Sequence, residues 1–151
     1  MSRVALIDGE LTHSVIGAFF EAYNAPGFGF LEHVYVKALE RELLARGHGV
    51  ARDVGVYVRY KGEHLATQRV DMIVGDRLVV EVKSTLRLHP AASRQLHNYL
   101  RATNLEVGLL LHFGPSPAFH RLICRNTKEN PPHPQDPPHP LIQKHDASEG
   151  S

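Results

Sequence analysis

A chain of 151 residues with a net charge of +1, 42% hydrophobic and 22% charged residues, has the composition of an ordinary globular domain. It contains no apolar run near the roughly 20 residues of a membrane helix, and its N-terminus lacks the basic-then-apolar layout of a secretory signal. The single cysteine, Cys124, excludes an intrachain disulfide and a cysteine-built metal site. We therefore expect a cytoplasmic domain with no membrane contact, and the small net charge permits a polyanionic partner without requiring one.

Two amphipathic helices are predicted first. Leu11, Val15 and Phe19 recur at helical spacing and predict a helix over about residues 10–23. The sequence NAPGFG interrupts it, and a second helix over about residues 30–46 follows, with Gly47 as its C-cap.

From Val50 to Thr85 the sequence is typical of strands and predicts a three-stranded meander. A third helix over about 90–103 precedes the apolar strand LEVGLLLHF and a last strand in FHRLICR. This order predicts an α/β domain over residues 1–128, with one mixed sheet flanked by helices. Residues 129–151 hold six of the ten prolines and PPHP twice, and we expect a disordered Pro/His-rich tail there.

Three charged residues interrupt the meander where its strands should be buried, within RVDMIVGDRLVVEVKST. Glu81 and Lys83 are two residues apart, so they share one face of their strand, while Val82 points to the other. Buried charges on a sheet are costly unless they are paired or hold a metal. The bland alternative is an ordinary strand with a surface ion pair.

Asp71 joins this pair only if the hairpin has the right register. A two-residue Gly75-Asp76 turn places Asp71 opposite Val80, whereas a three-residue loop places it opposite Glu81. The turn residues permit both. The functional argument favours the longer loop, with both acids on the face turned toward the second helix. Two carboxylates there would suit Mg²⁺ (or Mn²⁺), and a nearby lysine could orient the attacking water in phosphodiester hydrolysis.

A further motif precedes the meander. In GFLEHVY, residues 29–35, Gly29, Glu32 and Tyr35 form a G-x-x-E-x-x-Y at the start of the second helix. RVDMIV, LVVEVKS and RQLHNYLRATNLEVGLLLHFG then follow in that order. The succession resembles the GxxExxY family of small bacterial proteins, a branch of the PD-(D/E)XK nuclease-like superfamily. The resemblance covers about residues 10–125.

This resemblance implies a restriction-endonuclease-like core and Mg²⁺-dependent cleavage of DNA or RNA. By motif, the D…ExK signature falls on Asp71, Glu81 and Lys83. Glu32 matches an acid that many members of the superfamily bring to the metal from a helix, so the implied metal ligands are Asp71, Glu81 and Glu32. Gln95 and Tyr99 match a Q-x-x-x-Y element on the helix that follows the ExK strand.

Elementary chemistry leaves alternatives beside these roles. Gly29 lets the backbone turn tightly into the second helix, and Tyr35 lies on the same helix face as Glu32. Glu32 could equally be a first-turn acid that interacts with the helix dipole, and Tyr99 could be a core residue. Two functions therefore stay open: a metal-dependent nuclease, and a non-catalytic module that keeps the fold for binding or self-assembly. A nuclease this small would need a homodimer or larger assembly to grip a duplex.

Overall fold

The computed structural model describes residues 9–125. These residues form three helices and five strands, in the predicted order: α1 (Gly9–Asn24), α2 (Glu32–Ala45), β1 (Val50–Tyr60), β2 (Glu63–Val74), β3 (Leu78–Lys83), α3 (Ala91–Thr103), β4 (Val107–Phe113) and β5 (Pro117–Ile123). None of these helices is long and apolar enough to cross a membrane. The predicted tail, 129–151, lies outside the described residues.

The strands form one mixed sheet in the order β1-β2-β3-β4-β5. Only β3 and β4 pair in parallel, and α3 connects them, because a parallel pair needs a crossover. The other neighbouring strands are antiparallel. β4 is buried at every position, as expected of a strand covered on both faces. The predicted mixed sheet flanked by helices is confirmed.

Each face of the sheet carries its own apolar core. On one face, α1 and α2 pack over the sheet, with Phe19, Tyr35 and Leu39 fully buried. On the other face, α3 packs through Leu96, Tyr99 and Leu100. A residue on β2 or β3 therefore faces either the α1–α2 pair or α3, and its direction decides which helix it can meet.

The hairpin between β2 and β3 has the three-residue loop. Val74 pairs with Leu78, and the pairing continues to Met72 opposite Val80, which brings Asp71 beside Glu81. The expected face, however, is wrong. Because Val80 and Val82 belong to the α1–α2 core, the alternation of β3 turns Glu81 toward α3 rather than toward α2.

Candidate active site

The carboxylate of each acid in the hairpin accepts a hydrogen bond from a backbone N–H of the neighbouring strand. The backbone N–H of Asp71 donates to Oε1 of Glu81 at 2.9 Å, and the N–H of Val82 donates to Oδ2 of Asp71 at 2.7 Å. Both carboxylates thus accept bonds from backbone groups just beyond the last paired residues of β2 and β3. Carboxylates that accept backbone N–H bonds are fixed in position. The hairpin therefore holds two like-charged side chains together at one end of a buried strand pair.

Glu32 approaches this pair from the first turn of α2. It is half-buried, and the backbone N–H of Ser84 lies close enough to its carboxylate to lower its pKa. The Ser84 hydroxyl donates to the carbonyl of Phe30 at 2.7 Å. Ser84 directly follows Lys83, so one residue joins the end of β3 both to Glu32 and to the loop before α2.

Gly29 and Tyr35 shape that loop without reaching the acids. Gly29 has φ +116°, a conformation that side chains disfavour. The Tyr35 hydroxyl donates to the carbonyl of Gly27 and accepts from the N–H of Phe30 at 3.3 Å. The Tyr35 ring is fully buried and stacks on Phe113, with centroids 4.2 Å apart. The motif therefore places Glu32 by fixing the backbone immediately before it.

Burial and mutual repulsion act on all three acids. Burial and, next, the charge of Asp71 raise the pKa of Glu81 from 4.5 to about 8. Burial also raises the pKa of Asp71, against the opposing effects of the Val82 N–H and of Lys83. The pKa of Glu32 is raised by burial and then by Asp71. All three carboxyl groups are therefore poorly stabilised as anions by the protein itself.

Lys83 provides only part of that compensation. Its Nζ lies 3.9 Å from Oε2 of Glu81, and its side chain is 28% exposed. Its charge lowers the pKa of Glu32, Asp71 and Glu81, but in each case it is outweighed by burial. The lysine thus borders the acids at the solvent side of the site instead of neutralising them.

The third helix contributes Tyr99 but keeps Gln95 at the surface. Tyr99 is buried, and the pKa of its hydroxyl is raised first by burial and then by the charges of Glu81 and Asp71. Its hydroxyl therefore lies in the electrostatic field of the acid pair while its ring packs in the core beneath α3. Gln95, one turn earlier, is exposed to solvent. Its amide can therefore bond to water and needs no hydrogen-bond partner in the protein.

Sequence reasoning missed the role of two neighbours of the ExK strand. Apart from its place directly after Lys83, nothing in the sequence pointed to Ser84. Its hydrogen bond to Phe30 connects segments that are 54 residues apart. His112, parallel-paired with Lys83, is buried, and its Nε2 lies 2.8 Å from the carbonyl of Thr85 and 3.1 Å from the Thr85 hydroxyl. His112 thereby holds the chain where it leaves β3. A histidine at the end of an apolar strand was the only available signal.

The donor set fits a hard divalent cation. Within residues 9–125, no three His, Cys, Asp or Glu side chains form a preformed metal-binding group. Mg²⁺, however, is commonly held by only one or two carboxylates, with waters and substrate phosphates completing its shell. Asp71 and Glu81 each bind the backbone through one oxygen; their other oxygens are Oδ1 of Asp71 and Oε2 of Glu81, the latter 3.9 Å from the Lys83 Nζ. Two hard oxygen donors under mutual repulsion match that requirement.

A mixed sheet with helices on both faces, whose hairpin brings Asp71 beside a Glu81-x-Lys83 strand, defines the restriction-endonuclease-like class of fold. The PD-(D/E)XK nuclease superfamily model matches residues 9–123, so the chain belongs to that superfamily.

Among solved structures, the crystal structure of SSO0001 has a similar fold, with a TM-score of 0.51 and 18% sequence identity. The match covers 83% of this chain, and the chain spans 63% of the SSO0001 chain. At that identity, the likeness shows the fold alone. None of the curated proteins compared with the chain matches it.

Proposed function

We propose that the chain is a divalent-metal-dependent phosphodiester hydrolase that acts on DNA or RNA. The observation that carries this proposal is the geometry of Asp71 and Glu81, which two backbone hydrogen bonds hold together although burial raises the pKa of both. Two buried carboxyl groups held side by side are costly to ionise, and a bound divalent cation such as Mg²⁺ or Mn²⁺ would offset that cost.

The residues of the site then take distinct roles. Asp71 and Glu81 hold the cation, which, when bound, makes a water more acidic and stabilises charge on the phosphate. Glu32 adds a third negative charge beside them. Lys83, at the solvent side, orients the attacking water and offsets the charge that develops on the phosphate oxygens.

The remaining motif residues support this centre. Gly29 and Tyr35 fix the loop that positions Glu32. Tyr99 supports the acid pair from beneath, and the exposed Gln95 is available to contact the substrate backbone. One such site cuts one strand, so we further propose that cleavage of both strands of a duplex uses a dimer or larger assembly of this chain, as checked by light scattering with and without duplex.

Cleavage of labelled nucleic acids tests the proposal. Full-length protein is incubated with Mg²⁺ or Mn²⁺ and with single- and double-stranded DNA and RNA. Wild type should cleave at least one substrate, whereas Asp71→Asn, Glu81→Gln and Lys83→Met should not. Glu63→Gln is the matched control, because Glu63 is exposed at the start of β2 and loses the same charge. This control should cleave at the wild-type rate.

A negative outcome has a defined meaning. If wild type cleaves none of these substrates, and if neither metal raises its melting temperature, the metal-dependent hydrolase is excluded. The fold would then serve as a non-catalytic binding or self-assembly module.

A further inference from the structure

The loop between α1 and α2 exposes large apolar side chains next to the candidate site. Phe28 is 41% exposed, Phe30 48% and Leu31 71%. Leu86, two residues beyond Ser84 on the other side of the loop contact, is 73% exposed. Large apolar groups concentrated around one site are costly to solvate and are typical of a binding surface.

Hydrogen bonds and a ring contact hold this loop in place. The Tyr35 hydroxyl bonds the backbone of both Gly27 and Phe30, and the Ser84 hydroxyl bonds the carbonyl of Phe30. The Phe30 ring also meets the buried Tyr35 ring edge-on at 6.2 Å. A backbone held at these points presents its aromatic rings in a fixed place, directly before Glu32. Preorganised aromatic groups bind ligands at a low cost in conformational entropy.

The chain that follows the site is uniformly basic. Residues 82–105 contain four Lys or Arg and no Asp or Glu, although the whole chain carries 17 basic and 16 acidic residues. Arg87, Arg94 and Arg101 are exposed along this segment. Such a segment suits the phosphates of a nucleic-acid backbone, while the exposed rings suit something flat and apolar. A nucleic acid with unpaired bases offers both.

We propose that the segment 27–31 is a stacking platform for unpaired bases, so that the preferred substrate is single-stranded nucleic acid or a single-stranded end. This inference rests on the proposed function. In a duplex the base faces are already stacked on one another, whereas an unpaired base can stack on an aromatic side chain whatever its identity. Phe28 and Phe30 take bases, residues 82–105 take phosphates, and the phosphate to be cleaved lies at the acid pair.

Binding without cleavage tests this assignment. Fluorescence anisotropy with full-length protein in EDTA compares a labelled single-stranded DNA of mixed sequence with its blunt duplex, and the same pair in RNA. Wild type should bind the single strand more tightly. Phe28→Ala/Phe30→Ala should lose about tenfold or more in single-strand affinity, as expected for one or two lost stacks, and less than about twofold for the duplex.

Two controls separate stacking from other effects. Phe28→Leu/Phe30→Leu keeps an apolar side chain at both positions but removes the ring faces, so it should weaken single-strand binding nearly as much as the alanine pair. Tyr60→Ala removes an even more exposed ring at the end of β1, in the distal part of the β1–β2 hairpin, and should bind as wild type does. Thermal melts verify that each variant is folded.

The outcomes distinguish this inference from the proposed function. If the leucine pair binds single strands as wild type does, or if wild type binds duplex as tightly, the platform is excluded even if the wild type cleaves. If stacking-dependent binding is found but neither metal supports cleavage or raises the melting temperature, the platform stands and the hydrolase is excluded.

Discussion

The Asp71 N–H donates to the Glu81 carboxylate, and the Asp71 carboxylate accepts from the Val82 N–H one residue further along the same partner strand. The two acids therefore have two separate effects on the fold. Each satisfies a backbone donor that the parting strands would otherwise leave without a partner, and each places an ionisable carboxyl group where it is buried. Because amides can accept the same hydrogen bonds without the charge, substitution can separate hydrogen bonding from electrostatics.

We expect Asp71→Asn and Asp71→Ala to differ in the stability of the metal-free protein. Asparagine keeps an acceptor for the Val82 N–H and removes a repelling charge, so its free energy of unfolding should equal or exceed that of wild type. Alanine leaves a buried N–H unsatisfied and should cost about 1–3 kcal/mol. Urea unfolding in EDTA measures both. Equal losses in the two variants would mean that the charge itself stabilises the fold, as in a structural ion pair.

The stability of the metal-free protein should fall as the pH rises past the ordinary pKa of glutamate. Burial and Asp71 raise the pKa of Glu81 from 4.5 to about 8. Between those values the folded state retains a proton that the unfolded state has lost, so the free energy of unfolding decreases with pH. The contribution is complete below about pH 4.5 and is lost above about pH 8, on the order of a few kcal/mol.

Glu81→Gln isolates this effect, because it cannot ionise yet keeps an acceptor for the Asp71 N–H. The difference in unfolding free energy between wild type and this variant should change across the window in the stated direction. A difference that is independent of pH would show that Glu81 ionises normally in the folded protein.

The sequence predicted every helix and strand of the described residues because each has a clear pattern and a breaker beside it. The residue pattern did not predict the Gly75-Asp76-Arg77 loop, because its residues also suit the shorter, two-residue turn. Only the functional argument that the two acids should lie together favoured the observed register. Alternation showed that Glu81 and Lys83 share a face. It did not show which helix covers that face, because helix placement depends on how the chain crosses over between β3 and β4.

The edge of the site was less predictable for the same reason. Whether Gln95 is buried depends on the rotation of α3 about its axis, and a four-residue spacing from Tyr99 does not fix that angle. Ser84 acts through a contact between distant segments, and such contacts follow from tertiary packing alone. The resemblance to the family motif pointed to Glu32, because a family motif reflects tertiary packing that a local residue pattern does not.

Tyr35→Phe should weaken the loop before α2 while sparing the acid pair. The variant keeps the stacking on Phe113 but removes the hydroxyl that bonds Gly27 and Phe30, so it should lose about 1 kcal/mol in the free energy of unfolding. If the loop positions Glu32, any cleavage activity should fall while the Mg²⁺ affinity changes little. Tyr60→Phe is the control, since Tyr60 is 60% exposed. If Tyr35→Phe keeps wild-type activity, the hydrogen bonds of this loop do not contribute to catalysis.

The affinity for Mg²⁺ should rise with pH and level off near the pKa of Glu81. A cation binds the ionised carboxylates, so below about pH 8 it must displace a proton from Glu81, and the apparent Kd should fall by up to about tenfold per pH unit. Calorimetry in two buffers of different ionisation enthalpy measures the released proton. The same binding should stabilise the fold by about 2.7 kcal/mol at a hundred times the Kd.

Glu63→Gln, which changes an exposed acid, should follow the wild-type curve, whereas Glu81→Gln and Asp71→Asn should show neither strong binding nor proton release. A Kd that is constant across this pH range would show that binding displaces no proton from Glu81. If Glu81→Gln then bound the cation as wild type does, the cation would be held by Asp71 and Glu32. Loss of binding in Glu32→Gln but not in Glu81→Gln would identify that arrangement, because both variants replace a glutamate by a glutamine of nearly the same shape.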